Sequence, residues 1–113
     1  MGDQLRRAVF AGSWYPGTAA ACKAEIERFL AEASPREPGI QNPVGGIVPH
    51  AGWAYSGAVA CEVVRALAAG PPPDVVAVFG AHLHASSPSV LMPTGFWETP
   101  SGRCRSPRSW PSS

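Results

Sequence analysis

Apolar residues fall into distinct patterns along this chain, and each pattern predicts a different element. Between Thr18 and Ala33 the apolar positions Cys22, Ile26, Phe29, Leu30 and Ala33 recur at three- and four-residue steps, while Lys23, Glu25, Glu27, Arg28 and Glu32 take the other faces. That spacing predicts an amphipathic helix. Thr18 is placed to cap its start, Arg28 and Glu32 are spaced to pair across one turn, and the Ser34-Pro35 step ends the pattern. A second helical stripe comprises Val59, Ala60, Val63, Val64 and Leu67, with Ser56 as its predicted cap and Gly70 followed by Pro71-Pro72-Pro73 as its stop. On either side lie short apolar runs, Gly45–Val48 and Val75–Phe79, whose valines and isoleucine favour strands. Val75–Phe79 is continuous rather than alternating, as for a strand buried on both faces. Strand, helix and strand in this order make a βαβ unit, and such crossovers join parallel strands. The predicted fold class is therefore α/β with a parallel βαβ core.

This architecture places the chain's chemistry. His50 follows the first predicted strand, and His82 and His84 follow the second, so all three histidines lie at strand ends. Open α/β sheets build their sites there. If the two strands are neighbours, their loops converge, because adjacent strands lie ~4.8 Å apart. Paired imidazoles suit either a metal centre or acid–base work. Two ligands are fewer than such a metal centre usually takes, and no carboxylate lies beside these loops. By spacing alone, core or surface histidines are the favoured reading over a metal site. Further upstream, Val9–Gly17 is rich in aromatics and closes on Pro16-Gly17, a turn signal. Trp14 and Tyr15 are expected on a loop, packed against the domain or lining a site.

Composition narrows the field. Apolar residues make up 45% of the 113 residues and charged residues 15%, which suits one small packed domain. Net charge is +1, but Arg103, Arg105 and Arg108 all lie in the last thirteen residues. The remainder is slightly acidic, and no Lys/Arg cluster is interleaved with aromatics along the chain, which argues against nucleic acid as a partner. Three widely spaced cysteines, Cys22, Cys61 and Cys104, form no C-x-x-C pair and point to a reduced setting. Cys22 and Cys61 read as packing residues. Met1–Arg7 lacks the apolar core of a signal peptide, and no apolar run approaches the ~20 residues of a membrane span. A soluble, cytoplasmic protein is expected. No G-x-S-x-G elbow is present to support a serine hydrolase.

Several blocks together resemble a known family. Arg6 with Ala11–Pro16, then Ile47-Val48-Pro49-His50-Ala51-Gly52-Trp53-Ala54-Tyr55-Ser56-Gly57, then Val78–His82, and finally Trp97-Glu98-Thr99-Pro100, resemble the MEMO family in order and spacing. Its bacterial and archaeal members are often called AmmeMemoRadiSam system protein B. The resemblance covers roughly residues 6–100 and implies a fold similar to class III extradiol dioxygenases, with a pocket holding iron or copper. It implies His50 as one metal ligand and His82 or His84 as the second, with His82 favoured. The family's third ligand, a cysteine, lies in a C-terminal half that this chain does not contain. An unidentified small-molecule substrate is implied, with Trp53 and Tyr55 near the pocket. Two readings follow: a metal-dependent, dioxygenase-related oxidoreductase, or a non-catalytic metal-binding or interaction protein.

The organisation expected is a MEMO-like N-terminal portion over 1–100 and a divergent tail over 101–113. The tail, S-G-R-C-R-S-P-R-S-W-P-S-S, has no apolar periodicity and reads as disordered. Relatives continue after W-E-T-P with something like L-G-P-L-P-V, and codons for Ser101–Ser106 can be chosen so that a shifted frame reads G-P-L-P-V. A frameshifted or truncated product is the expectation, with a natural short variant as the alternative. A parallel sheet cut after a few strands leaves apolar surface uncovered, so self-association through the exposed sheet is expected as well.

Overall fold

The structure, a computed structural model, describes residues 4–33, 41–80 and 84–107. Its elements in chain order are β1 (Leu5–Arg6), α1 (Ala19–Glu32), α2 (Trp53–Ala68), β2 (Phe96–Thr99) and β3 (Gly102–Arg105). The chain is thus α/β, with two helices and one three-stranded sheet among the described residues.

The first helix forms as its pattern predicts. Thr18 caps α1, its hydroxyl accepting the Ala21 N–H at 3.2 Å. Arg28 bridges two carboxylates, donating to Glu25 at 2.6 Å and to Glu32 at 3.0 Å, and Lys23 pairs with Glu27. The apolar face turns Cys22 and Phe29 inward, and these are the buried apolar side chains among the described residues. Cys22 is a packing residue, its Sγ 3.1 Å from the Pro16 carbonyl oxygen. The Ser34-Pro35 step falls outside the described residues.

The second helix starts earlier than its pattern predicts. Gly52, not Ser56, is its N-cap, and Ser56 lies buried in the first turn. The Ser56 hydroxyl donates back to the Ala51 carbonyl at 3.0 Å, with the Gly52 carbonyl at 3.4 Å. A serine within a helix can satisfy its hydroxyl on a preceding carbonyl, which removes the need to cap from that position. The helices meet where Phe29 lies over Gly57. A Cβ on Gly57 would stand 2.5 Å from the Phe29 ring, so only glycine permits this approach. Burying the phenylalanine there contributes about 2–3 kcal/mol.

The sheet differs from the predicted one. β1 pairs with β2 in parallel, Leu5 opposite Phe96 and Arg6 opposite Trp97, and β2 pairs with β3 antiparallel. Gly45–Val48 and Val75–Phe79, the predicted parallel strands, are paired with nothing among the described residues. This corrects the βαβ core: the helix forms, but its flanking strands do not. A strand needs a partner for its backbone N–H and C=O groups, whereas a helix satisfies its own. Val75–Phe79 also lacks the cover its pattern calls for, since Val76, Val78 and Phe79 are 72%, 88% and 94% exposed.

Part of the tail is also ordered. Gly102–Arg105, read from sequence as disordered, forms β3, with Phe96 opposite Arg105 and Trp97 opposite Cys104. The Arg105 guanidinium lies 4.4 Å from the Phe96 ring centroid and that of Arg6 lies 4.6 Å from Trp97. Such stacking gives a polar strand an apolar attachment that periodicity does not reveal. No helix of the described residues is long and apolar enough to cross a membrane.

Candidate functional site

Three of the chain's motif segments meet around the start of α2. The loop after Phe10 is closed on itself, with Trp14 N–H donating to the Phe10 carbonyl at 3.0 Å and Gly12 N–H to the Tyr15 carbonyl at 2.8 Å. This places the Trp14 carbonyl where it accepts the Trp53 N–H at 2.9 Å. The bond satisfies one of the free N–H groups at the helix start from outside the helix. Gly52 fits beneath it, since a Cβ there would lie 3.3 Å from the same oxygen. Tyr15 and Trp53 then stack at 5.7 Å between centroids, and Phe29 meets Trp53 edge-on at 6.4 Å. Packing of Tyr15 within the domain is thus realised, while Trp14 keeps about half of its surface exposed, at 51%.

The third segment, Trp97–Pro100, reaches the same place. A cleft of 290 Å³ is lined by Tyr15, Cys22, Ile26, Trp53 and Thr99–Ser101, and it adjoins a hollow of 460 Å³ along the Lys23–Glu27 side of α1. Glu98 fastens β2 to the chain's beginning, accepting the Ala8 N–H at 3.1 Å and the Arg7 guanidinium at 3.4 Å. Thr99 closes the turn to β3, its hydroxyl donating to the Gly102 carbonyl at 2.9 Å. The cleft walls are mainly apolar, so the groups here can hold an apolar or aromatic moiety more readily than a charged one. Sequence periodicity could not find Thr99, Pro100 and Ser101 as cleft residues. Their position depends on β2 pairing with β1, a contact between the two ends of the described chain.

His50 lies two residues before the α2 N-cap and is exposed. His84 is exposed too, and its carbonyl accepts the Ser87 N–H at 2.8 Å. His82 lies outside the described residues. The sheet edge expected to converge the two histidine loops is not formed here. Among the described residues no group of three His, Cys, Asp or Glu side chains is placed to hold a metal ion. Imidazoles are suitable donors for iron or copper, but His50 and His84 alone are an incomplete set. Tyr55, expected near the pocket, is 90% exposed.

The motif segments that assemble this junction are shared with known proteins. A profile of the Memo-like protein family matches residues 6–106. The chain belongs to the Memo family. A MEMO1 family protein of Pyrobaculum arsenaticum is 35% identical over 108 residues, covering 88% of this chain and 38% of that protein. Another, from Pyrococcus furiosus, is 34% identical over 102 residues, covering 89% and 34%. A third, from Thermotoga neapolitana, is 37% identical over 111 residues, covering 88% and 39%. The chain therefore spans well under half the length of these Memo-family relatives. No solved structure matches it.

Proposed function

We propose that this chain supplies imidazole donors to a metal site of a Memo-family protein, His50 being one and His82 or His84 the other, with iron or copper as the metal. Membership of the family over residues 6–106 supports the reading, as does the fold similarity to class III extradiol dioxygenases that the motifs imply. The observation that carries it is the clamp from the Trp14 carbonyl to the Trp53 N–H, which fixes the backbone three residues after His50. A ligand on a fixed backbone loses less freedom on binding than one on an unrestrained loop. Bound iron would supply a place to bind and activate dioxygen or an organic substrate, making the chemistry that of an oxidoreductase. The residues of this chain would orient the donors, and the Tyr15–Trp53 cleft would receive an apolar part of a small-molecule substrate. A cytoplasmic setting with no nucleic-acid partner completes the proposal.

The incomplete donor set favours a second reading for this polypeptide, in which it holds a metal without catalysing a reaction. Metal content and affinity for iron(II) and copper separate these readings from an inert chain. Stoichiometric binding lost in His50→Ala and in one of His82→Ala or His84→Ala is the expected result and names the second donor. Binding indifferent to all three substitutions overturns the metal site. Oxygen uptake by the loaded chain with candidate substrates distinguishes an enzyme from a metal-holding protein.

A further inference from the structure

We propose that Ser56 is a positioning residue for His50, its hydroxyl holding the backbone from which the imidazole is presented. The inference rests on the reading of His50 as a metal donor. Ser56 lies in the first turn of α2 with only 8% of its surface exposed, so its hydroxyl has to find an acceptor inside the protein. A serine within a helix ordinarily donates to the carbonyl four residues back. That acceptor is Gly52, and it stands at 3.4 Å. The shorter bond, 3.0 Å, reaches one residue further, to the Ala51 carbonyl, which lies before the N-cap and belongs to the neighbour of His50.

The backbone donors account for that choice. Tyr55 N–H and Ser56 N–H both go to the Gly52 carbonyl, at 2.9 and 3.1 Å, so that oxygen is already served twice, and the Ser56 side chain is what reaches the Ala51 carbonyl. From the other direction the Trp14 carbonyl accepts the Trp53 N–H at 2.9 Å. Two successive peptide groups are therefore held, Ala51–Gly52 by α2 itself and Gly52–Trp53 by the loop after Phe10. Peptide groups are planar, so anchoring both fixes the Gly52 dihedrals between them. Gly52 needs this help. The close approach of the Trp14 carbonyl, 3.3 Å from where a Cβ would stand, favours glycine there, yet glycine is the residue with the widest conformational range. With the Ser56 bond in place, the nearest anchor on the α2 side of His50 is one residue away, at Ala51. Without it the anchor retreats to Trp53, and the freedom of Gly52 lies between it and the imidazole.

The test uses the full 113-residue chain with Ser56→Thr and Ser56→Val. Threonine and valine share a shape and differ in the hydroxyl, so their comparison removes the bond without opening a cavity. In the metal-free chain, NMR relaxation should show the Ala51 and Gly52 amides more mobile in Ser56→Val than in Ser56→Thr, with residues 59–67 of α2 unchanged. Dissociation constants for iron(II) and copper should rise by about tenfold from Ser56→Thr to Ser56→Val, the order of freeing the backbone of one residue. In a His50→Ala background, where only residual binding is left, the same exchange should leave it unchanged. A role confined to starting the helix would move affinity equally in both backgrounds, and that result overturns the proposal. So does equal mobility, or equal affinity, in Ser56→Thr and Ser56→Val. A parent chain that binds neither metal sinks the reading of His50 as a donor instead, and the relaxation comparison then decides alone whether Ser56 holds this backbone.

Discussion

At Gly57 two preferences of a single residue oppose each other. Alanine is the better helix former by about 1 kcal/mol. Its Cβ would stand 2.5 and 2.6 Å from two carbons of the Phe29 ring, which is only 4% exposed and cannot step aside without losing its burial. Overpacking of this kind costs about 1–3 kcal/mol, so it outweighs the helix gain. Gly57→Ala is therefore expected to lower stability by about 1 kcal/mol in urea titrations, and adding Phe29→Leu should recover part of the loss. A Gly57→Ala chain more stable than the parent would show that the ring gives way. The three thiols make a second residue-level case. Cys104 is exposed, Cys61 is half-buried with its thiol pushed up by burial, and Cys22 is buried against the Pro16 carbonyl. Mass spectrometry after mild alkylation should find Cys104 modified first, Cys61 more slowly and Cys22 only on unfolding. Rapid labelling of Cys22 would contradict its place under α1.

At the scale of elements, α1 carries its determinants within its own sequence. Its Thr18 cap and Arg28 pairs are local, and the Arg28 guanidinium holds the Glu25 carboxyl below the ordinary carboxylate range. A carboxylate with a lowered folded-state pKa adds stability above its unfolded value, and the contribution is lost as pH falls through the folded value. Helicity of α1 should accordingly decline on acidification below the ordinary carboxylate range, and Glu25→Gln should flatten that decline. Circular dichroism against pH checks this. The effect is small because both groups are solvent-exposed. Locality is also what made the helices legible in the sequence. The strands Gly45–Val48 and Val75–Phe79 were misread because their apolar pattern records a need for cover, which only another segment can meet. β3 was missed for the opposite reason: Gly-Arg-Cys-Arg shows no strand pattern, and its attachment is pairing to β2 and an arginine over Phe96. The junction was half legible. Ser13-Trp14-Tyr15 and Gly52-Trp53 stood out as motifs, but the hydrogen bond joining them crosses a separation that periodicity cannot span.

For the whole molecule, the deciding quantity is how little apolar surface the described residues hide among themselves. Cys22 and Phe29 are the buried apolar side chains of the described residues, and a core of that size offsets little of the conformational entropy lost in ordering them. Cover for the exposed apolar runs of the described residues by a second polypeptide would add to that small core and couple folding to association. If two copies fold and bind together, each tenfold rise in concentration adds about 1.4 kcal/mol to the assembly. Spread over the unfolding entropy of two chains of this length, that raises the thermal midpoint by about 3 °C per tenfold. Calorimetry over a hundredfold range of concentration should therefore show a midpoint that climbs steadily, while Val78→Lys should melt lower and without that dependence. A sharp transition at one temperature, whatever the concentration, would mean that the monomer holds itself together by packing stronger than two buried apolar side chains can provide.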